Sequence, residues 1–184
     1  MGLDMYLYRE TYVQKWDFEK KEKHYDITVK RGGKEYSNID KKKISYIVEE
    51  IAYWRKANAI HKFFVDECGD GIDECQRISV SFDKLEELVK RCKTILEKST
   101  IKTETIIQKN IIDSTESEEK VRIISNPKEY AAQLLPTTEG FFFGNTEYDE
   151  WYIQDLEKTI ECLEPYLNKD KEDWGVSYYY RASW

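Results

Sequence analysis

Asn58 and His61, one helical turn apart in Trp54-Arg55-Lys56-Ala57-Asn58-Ala59-Ile60-His61, are spaced to meet one polar ligand together. A buried Asn has up to four hydrogen bonds to satisfy and a buried His two. Either a core network with backbone or Asp4 meets them, or a ligand does. Arg55 flanks the pair. Used as a base, His61 would need an acid–base counterpart, such as Asp4 or Asp149. A second group is Gly144-Asn145-Thr146, between an apolar run and a helix start. Backbone N–H groups there can receive an anion, and Gly permits close approach. The third is the end of the chain. Alternation puts Tyr178, Tyr180, Ala182 and Trp184 on one face of a strand and Tyr179, Arg181 and Ser183 on the other. Arg181 can grip a phosphate or carboxylate bidentately, or simply shield an edge strand.

Familiar catalytic signatures are missing. The sequence has no G-x-S-x-G, no GxxxxGK[ST], no GxGxxG and no HExxH. It has 2 His and 4 Cys with no CxxC pair, so a zinc site is not expected, while a carboxylate-only magnesium site stays open; no cofactor is expected. Cys68-Gly69-Asp70-Gly71-Ile72-Asp73-Glu74-Cys75 lacks calcium-loop spacing and reads as a solvated acidic loop. Free thiols are expected, with Cys92 in the core and Cys68 and Cys75 able to pair if oxidised. Tyrosine is abundant, 14 against 7 Phe. That excess suits a Tyr-rich sheet or a recognition surface.

The 184 residues are 40% hydrophobic and 35% charged, with net charge −7 and mean hydropathy −0.75. No apolar run approaches the ~20 residues of a membrane span. The acidic balance argues against duplex nucleic acid. The start carries neither a basic segment nor an apolar one, so a cytoplasmic location is expected.

Several elements must position these residues. Residues 2–13 alternate as a strand with Leu3, Met5 and Leu7 inward. Residues 25–30 predict a strand before a turn at 31–34. Residues 43–66 predict a helix whose inward stripe is Ile47, Ile51, Trp54, Asn58, His61 and Val65. A short strand at 76–80 precedes a Ser81 cap and a helix over 82–98. Residues 100–125 predict a β-hairpin, either an arm for self-association or part of the core. A short helix over 126–135 and a buried strand over 140–144 come next. That strand would offer a stacking ring from Phe141 or Phe143. A helix from Asn145-Thr146 to about 168 follows, with Thr146 and Asp149 in capping-box spacing and a kink or early end at Pro165. A strand over 176–184 ends the chain. No linker or repeat divides it, so one α+β domain is expected, with a mixed or antiparallel sheet packed by about three long helices.

MGLDMYL (1–7), YWRKANAIHKFF (53–64), LLPTTEGFFFGNTEYDEWY (134–152) and YYYRASW (178–184) resemble blocks of a family of small uncharacterised proteins met in bacteriophages and bacterial mobile elements. Segment 100–125 lies outside these blocks. The resemblance implies a phage or prophage context in a host bacterial cytoplasm. Small phage proteins often antagonise host defence, some by soaking up nucleotide-derived immune signals, others by binding defence proteins. Together these readings give an expected function. The chain would be a non-enzymatic homo-oligomer that sequesters a small anionic, nucleotide-like ligand. The expected ligand-binding residues are Arg55, Asn58, His61, Gly144, Asn145, Thr146, Tyr180 and Arg181. The alternatives are a protein–protein inhibitor of a host defence enzyme and a nucleotide hydrolase or lyase using His61.

Overall fold

The computed structural model describes residues 2–15, 24–109, 116–171, 173 and 175–184. The tip of the expected hairpin lies outside them. Strand β1 (Asp4–Tyr12) alternates half-buried and buried residues along its whole length, as period two requires. Leu3, Met5 and Leu7 are fully buried. A two-residue ladder follows, β2 (Lys30–Arg31) with β3 (Lys34–Glu35). Gly32 and Gly33 supply the left-handed turn between them, at φ +59° and +80°. Residues 25–29, expected as a strand, join no sheet.

Residues 43–66 do not form one helix. They divide into strand β4 (Tyr46–Arg55) and helix α1 (Asn58–Cys68). A bulge explains the mistaken period. β4 runs antiparallel to β1, with Leu7 opposite Ala52 but Tyr8 opposite Glu50, so Ile51 has no counterpart. The residues of β4 that share the inward face of β1 are therefore Ile47, Glu49, Ala52 and Trp54. Steps of two, three and two imitate a helical stripe. β-Branched residues crowd this segment and favour the strand.

Strand β5 (Ile78–Val80) and helix α2 (Phe82–Lys98) follow, the helix capped by Ser81, which accepts from Lys84 N. Strands β6 (Ile101–Lys109) and β7 (Glu116–Ile124) form a separate two-stranded sheet. Its base belongs to the core. Ile124 is buried, and its N–H donates to Tyr148 O at 2.9 Å. Arg122 spans Glu150 and Glu157. Farther out Ile107 is 67% exposed.

The helix expected over 126–135 shrinks to α3 (Ala131–Leu134), because Asn126 Oδ1 accepts from Thr100 N instead of capping. The expected strand 140–144 is a turn, closed by Phe143 N donating to Gly140 O at 3.1 Å. Gly144 sits at φ +86°, outside strand conformations. Phe141 is 94% exposed. Helix α4 (Glu150–Lys169) starts later than expected, its cap being Asp149 rather than Thr146. Asn145 Oδ1 accepts from Glu147 N at 2.9 Å, and that local bond diverts the chain from helix. Pro165 does not end α4. Strand β8 (Val176–Ser183) completes the architecture.

The main sheet has the order β4-β1-β8-β5 with every pair antiparallel. Helices α1, α2 and α4 cover one face, giving an α+β fold. Tyr180, fully buried, stacks on Phe64 at 4.3 Å. Trp54 Nε1 donates to Thr159 Oγ1 of α4 at 2.9 Å. The open face is a tyrosine layer. Tyr8 stacks on Tyr6 and on Tyr179, at 6.1 and 4.9 Å. No helix among the described residues is long and apolar enough to cross a membrane.

At one end of the covered face the apolar core gives way to a buried ion pair. Arg9 donates to both oxygens of Asp170 at 2.5 and 2.8 Å, and also to Thr11 and Glu49. Burial pushes the Asp170 carboxyl up, but hydrogen bonds from Arg9 and Tyr178 outweigh it and hold the group below its ordinary value. The pair's stabilisation is therefore complete above the ordinary carboxylate range. It is lost as pH falls through the lowered value. Arg9→Met should cost about 3 kcal/mol, the penalty of stranding a buried carboxylate. Urea denaturation across pH 2–7 should show a lower midpoint for the variant at neutral pH and a weaker loss on acidification than in the parent.

Candidate functional site

A cavity of about 500 Å³ opens where the end of β4, the start of α1, the 137–147 segment and the first turns of α4 meet. Its geometry begins with Lys56, which takes φ +61° and turns the chain from strand to helix within two residues. Gly144 packs beside it on the cavity wall. A Cβ there would stand 3.3 Å from Lys56 Cβ, so both the positive φ and the close approach select glycine. Ala59, Ile60, Tyr152 and Leu156, all buried, give an apolar lining.

Asn58 is a staple. Its Nδ2 donates to Phe143 O at 3.1 Å and Asn145 O at 2.7 Å. Its Oδ1 accepts from Thr138 N at 3.1 Å. Three of its four hydrogen bonds thus fasten the 137–147 segment to α1. His61 is a buried post away from the cavity. Its Nδ1 lies 2.7 Å from Tyr180 Oη and its Nε2 3.0 Å from Asp73 Oδ2. Its ring meets Phe143 edge-on at 4.9 Å. Asn58 thus meets backbone partners, as the core-network alternative has it, whereas His61 meets Tyr180 and Asp73 rather than backbone or Asp4, and the two side chains turn to different partners.

Of the residues expected to bind ligand, Arg55, Asn58, Gly144 and Asn145 line the cavity; His61, Thr146, Tyr180 and Arg181 do not. Tyr180 lies inside the core, where burial pushes its hydroxyl pKa well up. Arg181 is exposed on the opposite side of the sheet, across from Tyr6 of β1. The expected anion site at the last helix is also filled from within. The Asp149 carboxylate accepts from Trp151 N and Tyr152 N at 3.0 and 3.3 Å and from Asn145 Nδ2 at 3.0 Å.

Sequence reasoning missed Lys56, Trp151 and Asp155, which also line the cavity. Trp151 is 69% exposed. Asp155 is half-buried, and no described residue offers its carboxylate a hydrogen bond. Burial pushes its pKa up to about 7, against the pull of Lys158 and helped by the charge of Asp149. Its signal was its position. Tyr152, Asp155, Leu156 and Thr159 follow the i, i+3, i+4, i+7 spacing of an inward face.

Chemistry other than binding finds few groups here. Among the described residues no cluster of three or more His, Cys, Asp or Glu is placed to hold a metal. Burial pushes the Cys68 thiol up to about 11 and raises Cys92 and Cys162 as well, leaving them poor nucleophiles at neutral pH. A second hollow of about 460 Å³ surrounds Arg9, whose guanidinium nitrogens all have partners.

Asn58→Ala should therefore act on stability and loop order. Removing a buried staple costs about 1–3 kcal/mol. The Thr138 amide should exchange with solvent markedly faster, while amides of β1 change only in step with global stability. No family model, curated protein or solved structure matches the chain.

Proposed function

We propose that this protein binds a small nucleotide-like ligand in the cavity between α1 and α4 and sequesters it without transforming it. The observation that carries the reading is the composition of one cavity. It has an apolar lining, an exposed indole at Trp151, adjacent cations at Arg55 and Lys56, and an unpartnered carboxyl at Asp155. Its size falls within the ordinary range for small-molecule sites, roughly 300–1,000 Å³. An indole gives a base a stacking surface, and paired cations suit a phosphate.

Charge narrows the ligand. Two cations face three carboxyls, Glu147, Asp149 and Asp155, so a lightly charged phosphate fits better than a triphosphate. Sequestration is favoured over turnover because both ring nitrogens of His61 have partners and the ring stands outside the cavity. The resemblance of four sequence blocks to phage proteins supports a setting in a bacterial cytoplasm. There the ligand would be a nucleotide-derived immune signal. Docking on a host defence protein is the second reading. It draws on the tyrosine face, where Tyr6, Tyr8 and Tyr179 lie beside the exposed Arg181.

Calorimetric titration with nucleoside monophosphates and cyclic dinucleotides tests the proposal. Saturable binding is expected, with the nucleotide recovered intact by mass spectrometry. Trp151→Ala and the double change Arg55→Ala/Lys56→Ala should each weaken binding about tenfold or more, about 1.4 kcal/mol. No binding by any of these probes overturns the reading, and a chemically altered nucleotide replaces sequestration with turnover.

A further inference from the structure

Resting on the cavity as a nucleotide site, we infer that Asp155 reads the base and that the ligand carries a guanine-type edge, two adjacent N–H donors that a carboxylate receives side by side. Other carboxylates at the cavity are either engaged or lie out on its rim. Asp149 caps α4, and Glu147 is exposed. Asp155 stands among buried neighbours whose polar atoms turn elsewhere. Tyr152 Oη donates to Leu135 O at 2.9 Å. Thr159 Oγ1 accepts from Trp54 Nε1 and donates to the Asp155 backbone carbonyl at 2.6 Å. No described residue bonds to the Asp155 carboxyl, which is half-buried on the cavity wall.

The shape of the acid then selects the ligand. A carboxylate only accepts, through two oxygens in a fork. Guanine offers a parallel N–H pair, at N1 and N2, to match it. Adenine and cytosine alternate a donor with an acceptor, and uracil has one donor between two acceptors, so each sets an acceptor against a carboxylate oxygen. Charge-assisted bonds of this kind are about twice as strong as neutral ones. Trp151 would stack the base, and Arg55 and Lys56 would face its phosphate.

A proton accompanies this recognition. The free carboxyl titrates near 7 because of its burial, and two N–H donors favour its ionised form. Binding should therefore release a proton around neutral pH. Affinity should fall about tenfold per pH unit below 7 and level off above it. The charged and titratable groups facing Asp155 are Asp149, Tyr152 and Lys158 on α4, Cys92 on α2, Arg55 and Lys56 at the end of β4, and Glu147. The variant Asp155→Asn isolates its titration from theirs.

The test is titration of the full chain with GMP, AMP, CMP and UMP at pH 5.5, 7 and 8. GMP should bind at least tenfold tighter than the others at pH 8 and lose about thirtyfold by pH 5.5. In Asp155→Asn the pH profile should flatten. The preference for GMP should collapse, with AMP and CMP both gaining relative to it, since an amide presents one donor and one acceptor. Its thermal midpoint should equal or exceed the parent's, because no described residue bonds to the carboxyl. Equal affinities for the four nucleotides, or an unchanged profile in Asp155→Asn, would overturn the role of Asp155 while leaving the cavity a nucleotide site. Binding of none of them, nor of any cyclic dinucleotide, would overturn the cavity reading itself.

Discussion

The reversal at Lys56 is the constraint on which the helix side of the molecule depends. β4 is the edge strand beside β1, and the chain has two residues in which to leave it and enter α1. One left-handed residue accomplishes this, at φ +61°. Its N–H donates to Leu3 O at 2.8 Å, tying the reversal to the start of the neighbouring strand. From there Asn58 emerges at the first position of α1, already aimed at the 137–147 segment. His61 emerges one turn later, aimed at Tyr180 and the acidic loop. A side chain at Gly144 would crowd Lys56 Cβ at 3.3 Å and strain the positive φ. The cavity is what this turn leaves between the helices once its own polar groups are satisfied.

The two ends of the sheet's covered face illustrate opposite solutions to polar groups near a core. Around Arg9 every charge is answered. The guanidinium spans Asp170, Thr11 and Glu49, and Tyr178 completes the set. Such a network fixes the register of β1, β4 and β8 and leaves little for a ligand to do. Near α4's first turns the same sheet abuts a carboxyl with no described partner. That carboxyl, on half-buried Asp155, lines the cavity.

Much of the fold was legible because local patterns agreed with it. β1, α2 and β8 carry clean periods, and the Ser81 cap and the 100–125 hairpin stand where their residue types put them. The error at 43–66 has a specific cause. One bulged residue, Ile51, changes the parity of a strand and so imitates a helix, which no period count can detect. The 140–144 segment misled for a different reason. Three phenylalanines look like a buried strand, but the flanking glycines give the chain a turn, and a Cβ at Gly140 would stand 2.5 Å from the Phe143 ring. At the site, sequence reasoning found the residues that build the wall, such as Asn58 and Gly144, because amides and glycines near helix starts are conspicuous. It overlooked Asp155 because an acid in a charged helix is ordinarily read as solvent-facing surface, although its spacing from Tyr152 and Thr159 puts it on the inward face.

The docking of the hairpin has a mechanical meaning. Arg122 of β7 grips Glu150 with its backbone N–H and with its guanidinium. Glu150 opens α4 and immediately precedes Trp151. The β6–β7 ribbon is thus a lever whose short end is clamped to the first turn of the helix that walls the cavity. Farther along it, residues 102–107 and 117–120 are exposed. Torque applied there would enter α4 one residue from the indole, so whatever grasps the ribbon also has a hand on the mouth of the cavity.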